Sequence, residues 1–207
     1  MNQPTLFTFE ETEAGFTPSP VAATLSPAAP RPLAETLRRE LRASCTSSAS
    51  FSPCRRYRYM LLRRWGSPVS PRVLFIGLNP STADEQRDDA TIRREVRYAI
   101  EWGYGGLLKA NLYGWRSTDP KGLKVPPNPV DHGCGMNDKI IAMHAQRCEL
   151  IVAAWGAFSG IEHRAAAVLK LLNRPVHCLG LSKDGAPLHP LRLSAARKPQ
   201  LFWTPEA

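Results

Sequence analysis

At 207 residues, 43% of them hydrophobic, with no run of eighteen apolar residues and no basic-then-apolar leader, the chain reads as one soluble, cytoplasmic domain with appendages and no membrane partner. Five cysteines without a C-x-x-C pair argue against a disulfide framework, an iron–sulfur cluster or a four-thiolate zinc site. The net charge of +9 is uneven: residues 1–30 hold three acidic and no basic side chains, so the rest carries 27 lysines and arginines against 15 acidic residues, a surplus that attracts DNA or nucleotides.

Residues 1–32, rich in Pro, Ala, Ser and Thr and without periodicity, are expected to form a disordered tail. Leu33, Leu37 and Leu41 share one helical face, which predicts a short amphipathic helix over 33–43. The serine-rich piece from Ser44 to Ser52 reads as a linker, so residues 33–55 are helix and linker and 56–207 the folded domain. Arg56 to Trp65 has strand composition, with Tyr57, Tyr59 and Leu61 at alternate positions. The order then runs strand 72–78, helix 88–102, strand 106–112, loop 113–136, helix 137–147, strand 149–154, helix 157–172 and strand 175–180, with an irregular end. Strands alternating with helices predict an α/β fold of three layers, α/β/α, around a central, mostly parallel four-stranded sheet.

The segment from Val73 to Asp84 is the most informative. A β-branched apolar run stops at Gly77 and a cluster of short polar residues follows, before a helix. In a parallel sheet, such a turn at the carboxyl end of a strand is where ligands bind. Gly77 permits close backbone approach and Pro80 stiffens the turn, while Asn79, Ser81, Thr82 and Asp84 supply polar groups. Read alone, Asn-Pro-Ser-Thr fits a plain turn that caps a helix as well as it fits a ligand-binding turn. The loop from Tyr113 to Gly135 is too long for a neutral connection, and it carries Arg116, Ser117 and Thr118, then Pro126, Pro127 and Pro129.

Four segments line up in order, the first three at the carboxyl ends of predicted strands and the fourth after the last: Gly77-Leu78-Asn79-Pro80-Ser81, Asn111 to Thr118, Leu150 to Ala157, and His189-Pro190-Leu191-Arg192-Leu193-Ser194. In that order they resemble the uracil-DNA glycosylase superfamily. More closely, the Asn79-to-Asp84 and His189-to-Leu191 segments resemble an uncharacterised bacterial and phage domain family with an N-P-S-T-A-D motif. The resemblance covers about Arg56 to Ser194. It implies an enzyme that hydrolyses the N-glycosidic bond of a damaged, modified or foreign base in DNA, without metal or cofactor.

The roles that the resemblance implies derive from that chemistry, which must hold a water near the sugar and stabilise a departing anion. Asn79 matches the water-placing position, and Asp84 is the nearest carboxylate able to act as base. Asn111 matches the base-reading position, where an amide offers donor and acceptor together. His189 matches the histidine that donates to the leaving base. Tyr113 or Trp115 would stack on the base, and Arg93, Arg94 and Arg116 would meet phosphates. The closing loop reads H-P-L-R-L-S where H-P-S is expected. Arg192 is therefore expected to take the phosphate contact, with Leu191 or Leu193 as the wedge that fills the gap left by a flipped base and Ser194 beside them at the nucleic acid.

Two other readings remain open: an enzyme acting on free modified nucleotides or nucleosides in the same pocket, and a catalytically silent nucleic-acid-binding module. The His/Cys pairs at 132 and 134, 144 and 148, and 177 and 178 share no metal-site spacing, so no metal is expected. In the tail, Gln3-Pro4-Thr5-Leu6-Phe7 resembles the short peptides by which bacterial repair proteins grip the sliding clamp, with Gln3, Leu6 and Phe7 as the contacts.

Overall fold

The computed structural model describes residues 45–205. The predicted tail, the helix over 33–43 and the segment holding Gln3, Leu6 and Phe7 lie outside them. Seven strands form one sheet: β1 (Thr46–Phe51), β2 (Arg58–Arg64), β3 (Arg72–Gly77), β4 (Gly106–Asn111), β5 (Leu150–Ala153), β6 (Val176–Cys178) and β7 (Gln200–Trp203). Among the described residues three α-helices accompany them: α1 (Ala90–Glu101), α2 (Met136–Ala145) and α3 (Glu162–Leu172). No helix among the described residues is long and apolar enough to cross a membrane.

The sheet order is β1-β2-β4-β3-β5-β6-β7. Strands β4, β3, β5 and β6 run parallel, while β1, β2 and β7 add antiparallel edges. The sheet is therefore mixed and seven-stranded, not the mostly parallel four-stranded one expected. Two of the three additional strands escaped the sequence reading because their composition is that of edges. β1 is Thr-Ser-Ser-Ala-Ser-Phe, half exposed, so the expected linker carries no hydrophobic alternation to betray it. β7 falls in the segment expected to be irregular and is likewise half exposed.

Strand β3 is buried almost throughout, because helices cover both faces of the sheet. Its odd residues Val73 and Phe75 join Leu107 against Ile92, Val96 and Ala99 of α1. Its even residues Leu74 and Ile76 join Leu108 and Ala110 against Ile141 of α2 and Val168 and Leu172 of α3. Helix α1 begins where the Asp89 carboxylate accepts from the Ile92 amide at 2.9 Å, and that cap fixes its N-terminus beside the end of β3.

Strand β2 is irregular. Its register against β1 passes from Ser50↔Met60 to Phe51↔Arg58, so Tyr59 is an extra residue and the strand bulges. A bulge re-aims the side chains beyond it. Tyr57, Tyr59 and Met60 pack towards Ile140 of α2, whereas Leu61 faces the α1 side. Arg58 is turned to that same side, where it donates to the Ala83 carbonyl at 2.8 Å. The expected strict alternation of Tyr57, Tyr59 and Leu61 is broken at this point.

Candidate functional site

A cavity of about 420 Å³ opens at the carboxyl edge of the parallel strands, on the α1 side. The turn after β3 gives it Gly77, Asn79 and Ser81, the end of β4 gives Asn111, the turn after β5 gives Trp155 to Phe158, and His189 closes it. Five of the residues expected from the sequence, Gly77, Asn79, Ser81, Asn111 and His189, thus meet around one space. They meet because adjacent parallel strands end at the same level: Gly77 pairs with Asn111, and Ala153 ends opposite Ile76.

The floor is charged and incompletely paired. Asn111 is 1% exposed, and neither its Oδ1 nor its Nδ2 has a hydrogen-bond partner. Gly77 leaves room for these side chains: a Cβ would lie 2.6 Å from the Lys109 Nζ and 2.9 Å from the Asn111 Oδ1, and one of them would have to shift. The Lys109 ammonium is held by the Glu95 carboxylate at 2.6 Å, both side chains being buried. Burial pushes the Glu95 pKa upward against the opposing pull of Lys109. Arg58 completes the floor at 1% exposure, with its Nε unpartnered. Desolvation lowers its pKa to about 10, partly offset by the charges of Asp89 and Glu95.

The walls supply positioned polar groups. Asn79 donates from Nδ2 to the carbonyls of Pro80 (3.1 Å) and Ser117 (2.8 Å), which ties the turn to the long loop and leaves Oδ1 as its acceptor. Asp89 is the carboxylate lining the cavity; one oxygen caps α1, and the other is uncommitted. His189 stands at the mouth, where its Nδ1 accepts from the Leu191 amide at 3.4 Å. Crowding by the cavity walls and then the Lys109 charge lower its pKa to about 4. The ring is therefore neutral near pH 7 with its proton on Nε2, a donor. Gly156, at φ +78°, lets the His189 loop approach, since a Cβ there would meet the His189 Cβ at 3.3 Å.

Other expected site residues lie elsewhere. The Asp84 carboxylate accepts from the Gln86 and Arg87 amides, which lower its pKa, and it does not line the cavity. Its role is that of a turn-capping group. Pro80 is buried and bonds through its carbonyl to Ser117, while Thr82 is exposed and outside the cavity. Tyr113 packs on the α2 and α3 side, and Trp115 stacks edge-on against Tyr57, so neither can stack on a ligand in this cavity. Arg116 donates to the Ser81 and Arg55 carbonyls and covers the Phe51 ring at 5.0 Å, outside the cavity.

Arg93 bonds the Asp88 carbonyl and Arg94 lies over the Tyr98 ring at 5.5 Å, both on α1 and outside the cavity. Leu191 and Arg192 are exposed in the 3-10 turn beside His189. The Ser194 carbonyl accepts from the Tyr98 hydroxyl at 2.7 Å, and its own hydroxyl from the Ala196 amide at 3.2 Å. Among the described residues no group of three or more His, Cys, Asp or Glu is placed to hold a metal ion.

Sequence reasoning missed Arg58, Asp89, Lys109 and Phe158. Lys109 left a signal: it is the one charged residue in the otherwise buried strand Gly-Leu-Leu-Lys-Ala-Asn, and a lysine there needs a partner or a task. Phe158 follows Gly156 in a turn and is half buried at the cavity wall, the aromatic face that Tyr113 and Trp115 do not provide.

Residues 58–191, more than half of the chain, match the family described as "Protein of unknown function (DUF1643)", and the chain belongs to that family. No curated protein and no solved structure matches it.

Proposed function

We propose that the cavity is a nucleobase pocket and that the protein hydrolyses the N-glycosidic bond of a damaged, modified or foreign base in DNA. The observation that carries this reading is Asn111. A buried carboxamide with both polar atoms unpaired is costly unless something else pairs with it, and a heterocycle edge offers the matching donor and acceptor side by side. The half-buried Phe158 offers the base a face to stack on.

The remaining groups take the roles that hydrolysis requires. Asn79 accepts from a water through Oδ1 but cannot remove its proton, and Asp89 is the carboxylate that can. Neutral His189 donates from Nε2 to the departing base, a hydrogen bond that strengthens as negative charge develops there. Leu191, exposed beside His189, is the wedge, and the surplus of basic residues holds the strand.

The test is incubation of the protein with duplex and single-stranded DNA bearing a panel of modified bases, scored for abasic sites. Release of at least one base, lost in Asn111→Ala, is expected. A panel that yields no abasic sites above background sinks the reading.

A further inference from the structure

Beside Asn111, the cavity lining holds a second feature that reading a base edge does not use. Arg58 and Lys109 are both buried, and both line the cavity. Between them they have spare donors. Arg58 spends one Nη1 hydrogen on Ala83, its Nε has no partner, and its Nη2 makes no hydrogen bond among the described residues. Lys109 spends one of its three ammonium hydrogens on Glu95. Glu95 in turn keeps one carboxylate oxygen unpaired, so it does not reach Arg58 with a hydrogen bond.

A buried guanidinium without a bonded counter-ion is an expensive element, and the fold goes out of its way to make one. Without the bulge at Tyr59, Arg58 would point to the α2 side of the sheet. Arg63, on the same strand, shows the alternative arrangement: it is buried too, but it is paired to Asp88 at 2.8 Å and to backbone carbonyls, and it stays out of the cavity. Of the two, Arg58 alone faces the cavity with donors to spare.

We propose that Arg58 and Lys109 form an oxyanion-binding subsite in the cavity lining, so that the natural ligand carries a carboxylate or phosphate on the part that meets these two side chains. The proposal rests on the cavity being a nucleobase site and narrows its ligand. Two sources of that anion are distinguishable: an acidic substituent on the base itself, or the phosphate of a free nucleotide. An anion there would give Arg58 the hydrogen-bonded partner it lacks, where Asp89 and Glu95 act on it only through space, and would share the Lys109 ammonium with Glu95. In a buried site such charge-assisted bonds are shorter and stronger than neutral ones. They also resist screening by salt, unlike contacts at the surface.

Isothermal titration of the full chain with two matched pairs of probes tests this: 5-carboxyuracil against thymine, and thymidine 5′-monophosphate against thymidine. The anionic member of one pair is expected to bind at least about tenfold tighter, the pair concerned naming the source. The gap should survive 0.5 M salt and shrink in Lys109→Met and in Arg58→Met, with Arg58→Lys restoring part of it. Should the variants fail to fold, the wild-type comparison still decides. Equal binding within both pairs, or no binding of either anionic probe at millimolar concentration, overturns the proposal. Abasic-site formation without any anion preference would end this proposal and leave the glycosylase reading standing. An anion preference without base release would do the reverse.

Discussion

Replacing Asn111 by leucine should make the protein more stable and less active. Leucine has nearly the shape of asparagine, so the change leaves no large cavity at a position that is 1% exposed. In the native chain both polar atoms of the carboxamide are shielded from water and unpaired. An unsatisfied buried polar group costs about 1–3 kcal/mol, and an apolar isostere removes that cost. In a chain of this size each kcal/mol moves the midpoint by roughly 2–4 °C, so Asn111→Leu should melt several degrees above the parent. Circular dichroism during thermal unfolding measures the first effect, and titration with nucleobases, or base release from DNA, measures the second. A leucine variant that melts lower and still binds or releases base would refute the reasoning, because Asn111 would then be a structural residue. A variant that melts lower and is inactive would show that the carboxamide is satisfied in the free protein and would remove the observation on which the nucleobase reading stands.

The two aspartates separate by position: Asp89→Asn should abolish base release while keeping the α1 cap, and Asp84→Asn should leave turnover close to normal, both read from single-turnover kinetics. His189→Ala should lower the rate about a hundredfold, or about 3 kcal/mol, with no change in the pH dependence between pH 5 and 8, since the ring titrates at about 4. His189 and His144 both have pKa values held at about 4 by burial, below the ordinary value near 6.5, so the unfolded chain binds more protons between these limits and stability should fall as pH drops through that window, seen as a falling melting midpoint. Glu95→Ala strands the Lys109 ammonium in the core and should cost about 3–5 kcal/mol in urea denaturation. DNA affinity should fall steeply between 50 and 200 mM salt if the basic surplus meets phosphates.

Burial decides which elements the sequence disclosed and which it withheld. The central strands were legible because burial on both faces demands continuous apolar runs, as in Val73 to Ile76 and Leu150 to Ala153. Helix α1 lies within the expected span 88–102, and Ile92, Val96 and Ala99 form its buried face at helical spacing. The edge strands gave no such sign, because half-exposed backbone pairing needs no apolar side chains. At the site, the residues on turns after strands were legible, since Gly77, Asn79 and His189 sit where short polar motifs interrupt the pattern. Arg58 was not, because the bulge that aims it inward is a matter of register between β1 and β2. Asp84 and Asp89 lie five residues apart, and nothing in their local sequence tells which one reaches a cavity and which one folds back on its own turn.

The unpaired polar groups favour the same cavity. Eight buried side-chain atoms among the described residues lack a hydrogen-bond partner, and four of them belong to Arg58 and Asn111, which line the cavity, and to Glu95, which holds Lys109 there. A core selected only for stability would pair these groups or replace them with apolar ones. Their concentration at the carboxyl edge of the parallel strands, where this architecture places ligands, ties the cost to a task. Gly77 makes the same point from the side of packing. Its neighbours are arranged so that even a methyl group would collide with Lys109 and Asn111, yet its backbone is ordinary strand, so conformation gives no reason for a glycine. The space above Gly77 is what the position requires, and the two side chains beside it are those with donors and acceptors to offer.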